Sequence, residues 1–300
     1  MRQHALIISI LCLASSGLAH AGQSPWEEQA ARFPFNSAVI HYTVEGGEQG
    51  KETLYIRERG MEQAHIWKTT GKSLFRATTT DKIMITTKEM ITEVDMTSKT
   101  GESYINPQKM MIQEYNSLTP AEKEIVKKNS IEMGNSMLGG LANSGLMKFK
   151  KNADTILGYK CDIISGLGTQ VWQLSGTGIP LKSEMSLIGA TTTTATKVET
   201  GAAVPASVFE IPAGVKVVHN KDKDEENRRM AKSMIDMLKD PQTAKNIEEG
   251  RKQAAQKSAE SPSGGENGEN GEITDQRRKE ANEAIQKGVD AIKGIFGGGK

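Results

Sequence analysis

Residues 154–185 read DTILGYKCDIISGLGTQVWQLSGTGIPLKSEM. Three β-rich runs, Thr155 to Ile164, Gln170 to Leu174 and Leu181 to Leu187, are divided by short spacers that carry Gly and Ser. Runs bounded by turn residues read as strands. Spacers this short join antiparallel neighbours, because a parallel pair needs a crossover of roughly a dozen residues. Gly158 and Gly178 allow turns that other residues resist. Pro180 suits a strand start, and Trp172 offers a large apolar surface inside a sheet.

The same pattern extends in both directions. Val39 to Val44 alternates up to Gly46-Gly47 and Thr53 to Arg59 resumes beyond it, which predicts a hairpin. Further β-rich runs follow at Met61 to Lys68, Ser73 to Thr79, Lys82 to Thr87 and Glu89 to Met96, and later at Met147 to Lys151 and Thr192 to Glu199. Between the two groups the period changes at Asn106. Pro107 to Tyr115 and Pro120 to Met137 carry helical starts, the second with Thr119 as N-cap and Pro120 at the first helical position. The end of this insert holds Met133, Met137, Leu138 and Leu141, interrupted by Gly134, Gly139, Gly140 and Gly145. A segment both apolar and flexible is either a mobile lid over an apolar cavity or a loop packed on the core.

The first residues carry Arg2, an apolar run from Ala5 to Leu13 and a small-residue site at Ala19-His20-Ala21, the pattern of a secretory signal peptide. The apolar run is shorter than the roughly 20 residues of a membrane span. The expected organisation is a signal peptide over 1–21, a helical arm over 22–37 and a β domain over 38–218 with a helical insert at 107–145. A helical extension follows over 219–257, with Met230, Ala231, Met234, Ile235 and Leu238 at helical spacing, and a second helix is expected over Thr243 to Lys257. Residues 258–272 are a low-complexity linker. Residues 273–300 form a final amphipathic helix, with Ala281, Ile285, Val289, Ile292 and Phe296 on one side. That stripe would lie on a membrane surface, dock on a partner, or sit as a solvated helix.

Composition removes several functions. Without residues 1–21, Lys+Arg falls from 38 to 37, level with the 37 Asp+Glu. A neutral chain with no basic half lacks the footprint of a nucleic-acid binder. Cys161 is then the single cysteine, so no intramolecular disulfide forms, and its alternating neighbours mark it as an inward strand residue. His41, His65 and His219 are scattered, and no metalloprotease, nucleophile-elbow, P-loop or zinc pattern occurs. No catalytic residue, metal site or cofactor is assigned, and the chain is read as non-enzymatic. Methionine thioethers suit Cu(I), but the helical spacing of Met230, Met234 and Met237 is explained by adaptable packing or an apolar lining without metal.

The stretch quoted first also resembles the family called domain of unknown function 4412, through Gly158-Tyr159-Lys160-Cys161, Val171-Trp172 and Gly178-Ile179-Pro180-Leu181-Lys182, with Val208-Phe209-Glu210-Ile211-Pro212 and Gly214 closing the domain. Through that family it is distantly similar to the periplasmic lipoprotein carriers and receptors of the Lol pathway. The resemblance spans about Ala38 to Val218 in strand order and Asp154 to Pro212 in motif. It implies an α+β, mainly antiparallel fold: a curved, incompletely closed β-barrel with a helical insert, to which this chain adds a C-terminal helical tail beyond Val218 that the carriers lack. It further implies a periplasmic or secreted protein that shelters a lipid, acyl chain or other apolar molecule. The expected lining is Trp172, Met133, Met137, Leu138, Leu141 and Met147. Aromatics are 5% of the chain, so an inner face of this width is hard to fill. The alternative is a structural or interaction protein of the envelope with a filled barrel, whose tail helices at Asn227 to Leu238 and Glu280 to Phe296 recruit a protein partner, the C-terminal one also able to touch a membrane surface.

Overall fold

A computed structural model describes residues 23–249 apart from 32, 74–75, 144–146, 167, 187–189, 244 and 247–248. The expected signal peptide, linker and final amphipathic helix fall outside the described residues. The N-terminal arm forms α1 (Pro25–Ala31). A capping box starts it: the Ser24 N–H donates to Glu27 Oε2 at 2.9 Å, and the Glu27 N–H donates to Ser24 Oγ at 3.3 Å.

Twelve strands follow in one sheet. They are β1 (Ala38–Gly46), β2 (Glu48–Arg57), β3 (Glu62–Ser73), β4 (Arg76–Thr86), β5 (Met90–Asp95), β6 (Thr100–Ile105), β7 (Met147–Ile156), β8 (Tyr159–Gly166), β9 (Thr169–Leu174), β10 (Pro180–Met185), β11 (Thr191–Thr200) and β12 (Lys216–His219). Their spatial order is β12-β6-β5-β4-β3-β2-β1-β11-β10-β9-β8-β7. Every pairing is antiparallel except β12 with β6. The two outermost strands, β12 and β7, do not pair with each other, so the sheet stays open. Register shifts at His41/Tyr42, Lys150/Asp154 and Pro180/Lys182 mark bulges. Such bulges bend a strand and increase its twist.

Several expectations change in detail. Apart from Ser73, which ends β3, the runs Ser73 to Thr79 and Lys82 to Thr87 merge into β4, because Asp81 stands opposite Lys68 in register and its carbonyl accepts the Met96 N–H at 2.8 Å. Strand β6 has no counterpart among the runs read from sequence: it is short and holds a glycine. The Asp95 carboxylate that accepts the Thr97 and Ser98 N–H groups makes the turn that folds it back on β5. The Leu157-Gly158 turn in the quoted stretch has both residues at positive φ, 51° and 82°, the conformation that suits the twist of a two-residue hairpin.

The insert forms α2 (Pro107–Asn116) and α3 (Pro120–Asn143), and α4 (Lys221–Leu238) follows β12. Thr119 caps α3 as expected, in a second capping box with Glu122. α3 continues past Met137 to Asn143, so Gly134, Gly139 and Gly140 lie within a helix and not in a loop. The second helix of the extension starts at Thr243, and most of its expected span lies outside the described residues.

The helices make a core of their own. Tyr115, Val126, Ile235 and Leu238 are buried together, with Trp26, Leu118, Met133, Met234 and Met237 packed against them. Trp26 meets Tyr115 edge-on at 6.3 Å, which seats α1 on α2. The buried Asn129 amide donates to the carbonyls of Leu238 at 2.8 Å and Asp240 at 2.9 Å, answering acceptors that the end of α4 leaves open. α3 also touches β7 while α4 touches β6, so helices connect the two ends of the sheet.

Asn129→Ala removes both amide hydrogen bonds and leaves the buried Leu238 carbonyl unanswered. The expected loss is about 1–3 kcal/mol of unfolding free energy, read by urea denaturation; an unchanged midpoint would contradict this role.

Candidate functional site

Register defines one face of the sheet that carries the helices. Tyr42, Glu52, Trp67, Lys82 and Asp95 form one cross-strand row, and Ile40, Leu54, His65, Met84, Glu93 and Glu102 form the next. α4 docks over the β5–β6 end of this face. Lys223 lies 3.7 Å above the Tyr104 ring and approaches Glu93 and Glu102 at 3.4 and 3.0 Å. The Tyr104 hydroxyl donates to Glu93 at 2.8 Å, and burial first, then this bond, push its pKa up to about 12. The Asp224 carboxylate accepts the Ile105 N–H at 2.7 Å and meets His219 at 2.7 Å, pinning the start of α4 to the end of β6.

The opposite face carries a strap. Residues 201–215 run from β11 to β12, and Phe209, part of the Val208-to-Pro212 motif, packs its ring under the Arg57 guanidinium at 3.8 Å. Ala64, Ile85 and Val94 are buried on that side.

Side chains of the protein itself fill part of the helix-bearing face. Ala38, Ile40, Tyr42, Leu54 and Ile56 join Cys161, Trp172, Leu174, Ile179, Leu181 and Ala195 in one cluster. Trp172 is 7% exposed, donates from Nε1 to Asp154 Oδ2 at 2.9 Å, and has the Lys182 ammonium 4.4 Å from its ring. Its position is that of a packed residue with a satisfied N–H. Cys161 is fully buried, and burial pushes its thiol pKa up. Met133 packs on the helical core, and Met147 is half-buried at the start of β7. The side chains of Met137, Leu138 and Leu141 lie outside the described residues. Among the lining residues expected from sequence, the structure therefore does not bring Trp172 and Met133 into one cluster.

Beyond that core the same face is more open. His65, Trp67 and Met84 are half-buried there. His65 stacks on Trp67 with ring centroids 3.9 Å apart and stands 6.3 Å from Tyr42. Its Nε2 lies 3.2 Å from Glu52 Oε2, a carboxylate that is only 7% exposed. Tyr42 directs its hydroxyl to the Pro180 carbonyl at 2.9 Å, and burial together with the Glu52 charge raises its pKa. Reading the histidines as scattered passes over this group. The available signal is the i, i+2 spacing of His65 and Trp67 in one strand, which puts both on the same side.

Among the described residues, no group of three His, Cys, Asp or Glu side chains is placed to hold a metal ion. No described helix is long and apolar enough to cross a membrane. A shallow cleft of about 390 Å³ lies elsewhere, between α1, α2 and the Glu58–Met61 turn. Of its charged groups, Glu58 pairs with Lys88 and Glu89 with Lys109, Glu27 serves the α1 capping box, and Arg59 donates to the Phe33 carbonyl at 3.5 Å.

No family model and no curated protein matches the chain. Solved structures show distant similarity. An uncharacterized conserved protein from Thermus thermophilus aligns at 8% identity and a TM-score of 0.37, over 65% of this chain and 96% of that one. MucB aligns at 14% identity and a TM-score of 0.31, over 67% of each chain. MucB in complex with MucA(peri) aligns at 12% identity and 0.32, over 64% of this chain and 61% of that one.

The Glu102 carboxyl lies below its usual range, chiefly through the Asn220 side-chain amide and then Lys223. A carboxyl depressed on folding adds stability above its unfolded pKa and loses it as pH falls through the folded value. Glu102→Gln should therefore lower Tm at pH 7, and the gap from the unsubstituted chain should close as pH drops below about 4. A gap independent of pH would contradict the α4 contact.

Proposed function

We propose that this chain is an exported, non-enzymatic protein that holds a lipid, acyl chain or other apolar molecule on the helix-bearing face of its open sheet. The observation that carries the reading is the division of that face. A side-chain-filled core around Ile40 and Leu181 gives way to a half-buried stretch at His65, Trp67 and Met84. Large apolar and aromatic groups left partly exposed beside a packed core support that reading, since ligand sites are lined mainly by such groups. The signal-peptide pattern over 1–21 supports export, and the helices reach the sheet's two ends at β6 and β7.

The second reading, an envelope interaction protein, draws on Ile131 and Met230, which are 49% and 47% exposed on α3 and α4. Exposed apolar side chains on a helical cap suit recruitment of a partner protein.

Native mass spectrometry of the mature chain 22–300, purified from its own envelope without detergent, separates the two. The container reading expects a stoichiometric apolar adduct that is lost in Met84→Asp. A clean apo mass, from protein that retains an envelope partner through the helical cap, would overturn it.

A further inference from the structure

We propose that the outer edge of β12 pairs with the same edge of a second copy of this chain, joining the two sheets across a two-fold axis at Val218. The inference stands apart from the container reading.

The ladder with β6 decides which backbone groups are free. The Lys216 N–H donates to the Lys99 carbonyl at 3.0 Å, and the Asn220 N–H donates to the Ser103 carbonyl at 2.8 Å. Alternate residues of a strand direct their N–H and C=O groups to the same side. Lys216, Val218 and Asn220 therefore face β6, and Val217 and His219 turn their backbone groups outward. Among the described residues those outward groups have no partner. The edge is also accessible: Lys216, Val218 and His219 are exposed, Val218 at 58%. α4 leaves it clear because it docks inward, over β5 and β6.

The other end of the sheet is protected. β7 carries the exposed Lys148, Lys150 and Lys151, a register shift between Lys150 and Asp154, and Asn152 at a φ of 47°. Lysines and bulges on an edge strand are devices that prevent strand addition. β12 has an unbroken register and an exposed valine in its middle. Pairing β12 with β7 of a next copy would add chains without end, whereas β12 on β12 closes after two. With β7 protected, the closed pair is the one left.

Register makes β12 complementary to itself. When Val218 stands opposite Val218 of the second copy, Val217 falls opposite His219 in both directions. Both outward-facing residues then enter hydrogen-bonded pairs, each exchanging its N–H and C=O bonds. Val218 occupies the non-hydrogen-bonded position between them, where side chains lie closest. Two valines that are exposed in the single chain thereby cover each other. Lys216 falls opposite Asn220, so no like charges meet. A slip by one residue would set outward groups against groups already spent on β6. A contact this small makes a weak, concentration-dependent dimer.

Sedimentation velocity of residues 22–300, from low micromolar to near-millimolar protein, tests the pairing. The mass per particle is expected to rise from one chain to two. Val218→Lys sets like charges opposite each other at the axis and should hold the mass at one chain throughout. Val217→Pro removes an outward donor without touching the β6 ladder. It should weaken association about tenfold or more, roughly the value of the two hydrogen bonds lost per pair of chains. Amide exchange followed by NMR should slow at Val217 and His219 as the concentration rises. Circular dichroism checks the fold of each variant; if Val217→Pro unfolds, Val218→Lys decides. A single-chain mass at every concentration, or a dimer that Val218→Lys leaves intact, would overturn the proposal.

Discussion

An open sheet must be held at its two ends by something other than hydrogen bonds between strands. Here β12 and β7 never meet, and the helices make the connection. The decisive contact is buried and polar: the Asn129 amide of α3 holds two carbonyls at the end of α4. α4 is in turn fixed to β5 and β6 by Lys223 and Asp224. Losing the amide would strand the buried Leu238 carbonyl, a larger cost than the modest net gain of an ordinary hydrogen bond. Apolar packing around Tyr115, Val126 and Leu238 supplies most of the cap's adhesion, and the polar contacts set its register.

Because the cap bridges the ends, the face beneath it need not be filled throughout. Strands β1, β2 and β8 to β11 pack their aliphatic and aromatic groups on one another, and the bulge at Pro180/Lys182 lets the Pro180 carbonyl meet the Tyr42 hydroxyl. Toward β3 and β4 the character of the face changes. A buried carboxylate, an imidazole and an indole stand where a closed core would carry aliphatic side chains. Polar groups at such a position cost stability unless they are paired. Glu52 and His65 answer each other, and the indole covers the imidazole.

Much of this architecture is legible in the chain. Short glycine-bearing spacers give the antiparallel order, Thr119 and Pro120 give the start of α3, and alternation places the lone Cys161 inward. What cannot be read has specific causes. β6 carries too few apolar residues to stand out, and its existence depends on an Asp95 turn. The glycines of α3 suggest a loop, yet a helix tolerates single glycines when its first turns are anchored by packing. Trp172 looks like a cavity lining because alternation shows only which side a residue faces, not whether its neighbours fill the space around it. The cluster at Glu52 and His65 joins residues thirteen positions apart through strand register, which no local pattern displays.

The central claim is that the helix-bearing face has a packed part marked by Trp172 and a receptive part marked by Trp67. Fluorine NMR of residues 22–300 labelled with 5-fluorotryptophan, assigned through single Trp→Phe variants, tests this directly because the chain has three tryptophans, Trp26, Trp67 and Trp172. On addition of an apolar ligand the Trp67 resonance should shift while that of Trp172 stays in place. A shift at Trp172 with Trp67 unmoved would contradict the division of the face on which the account rests.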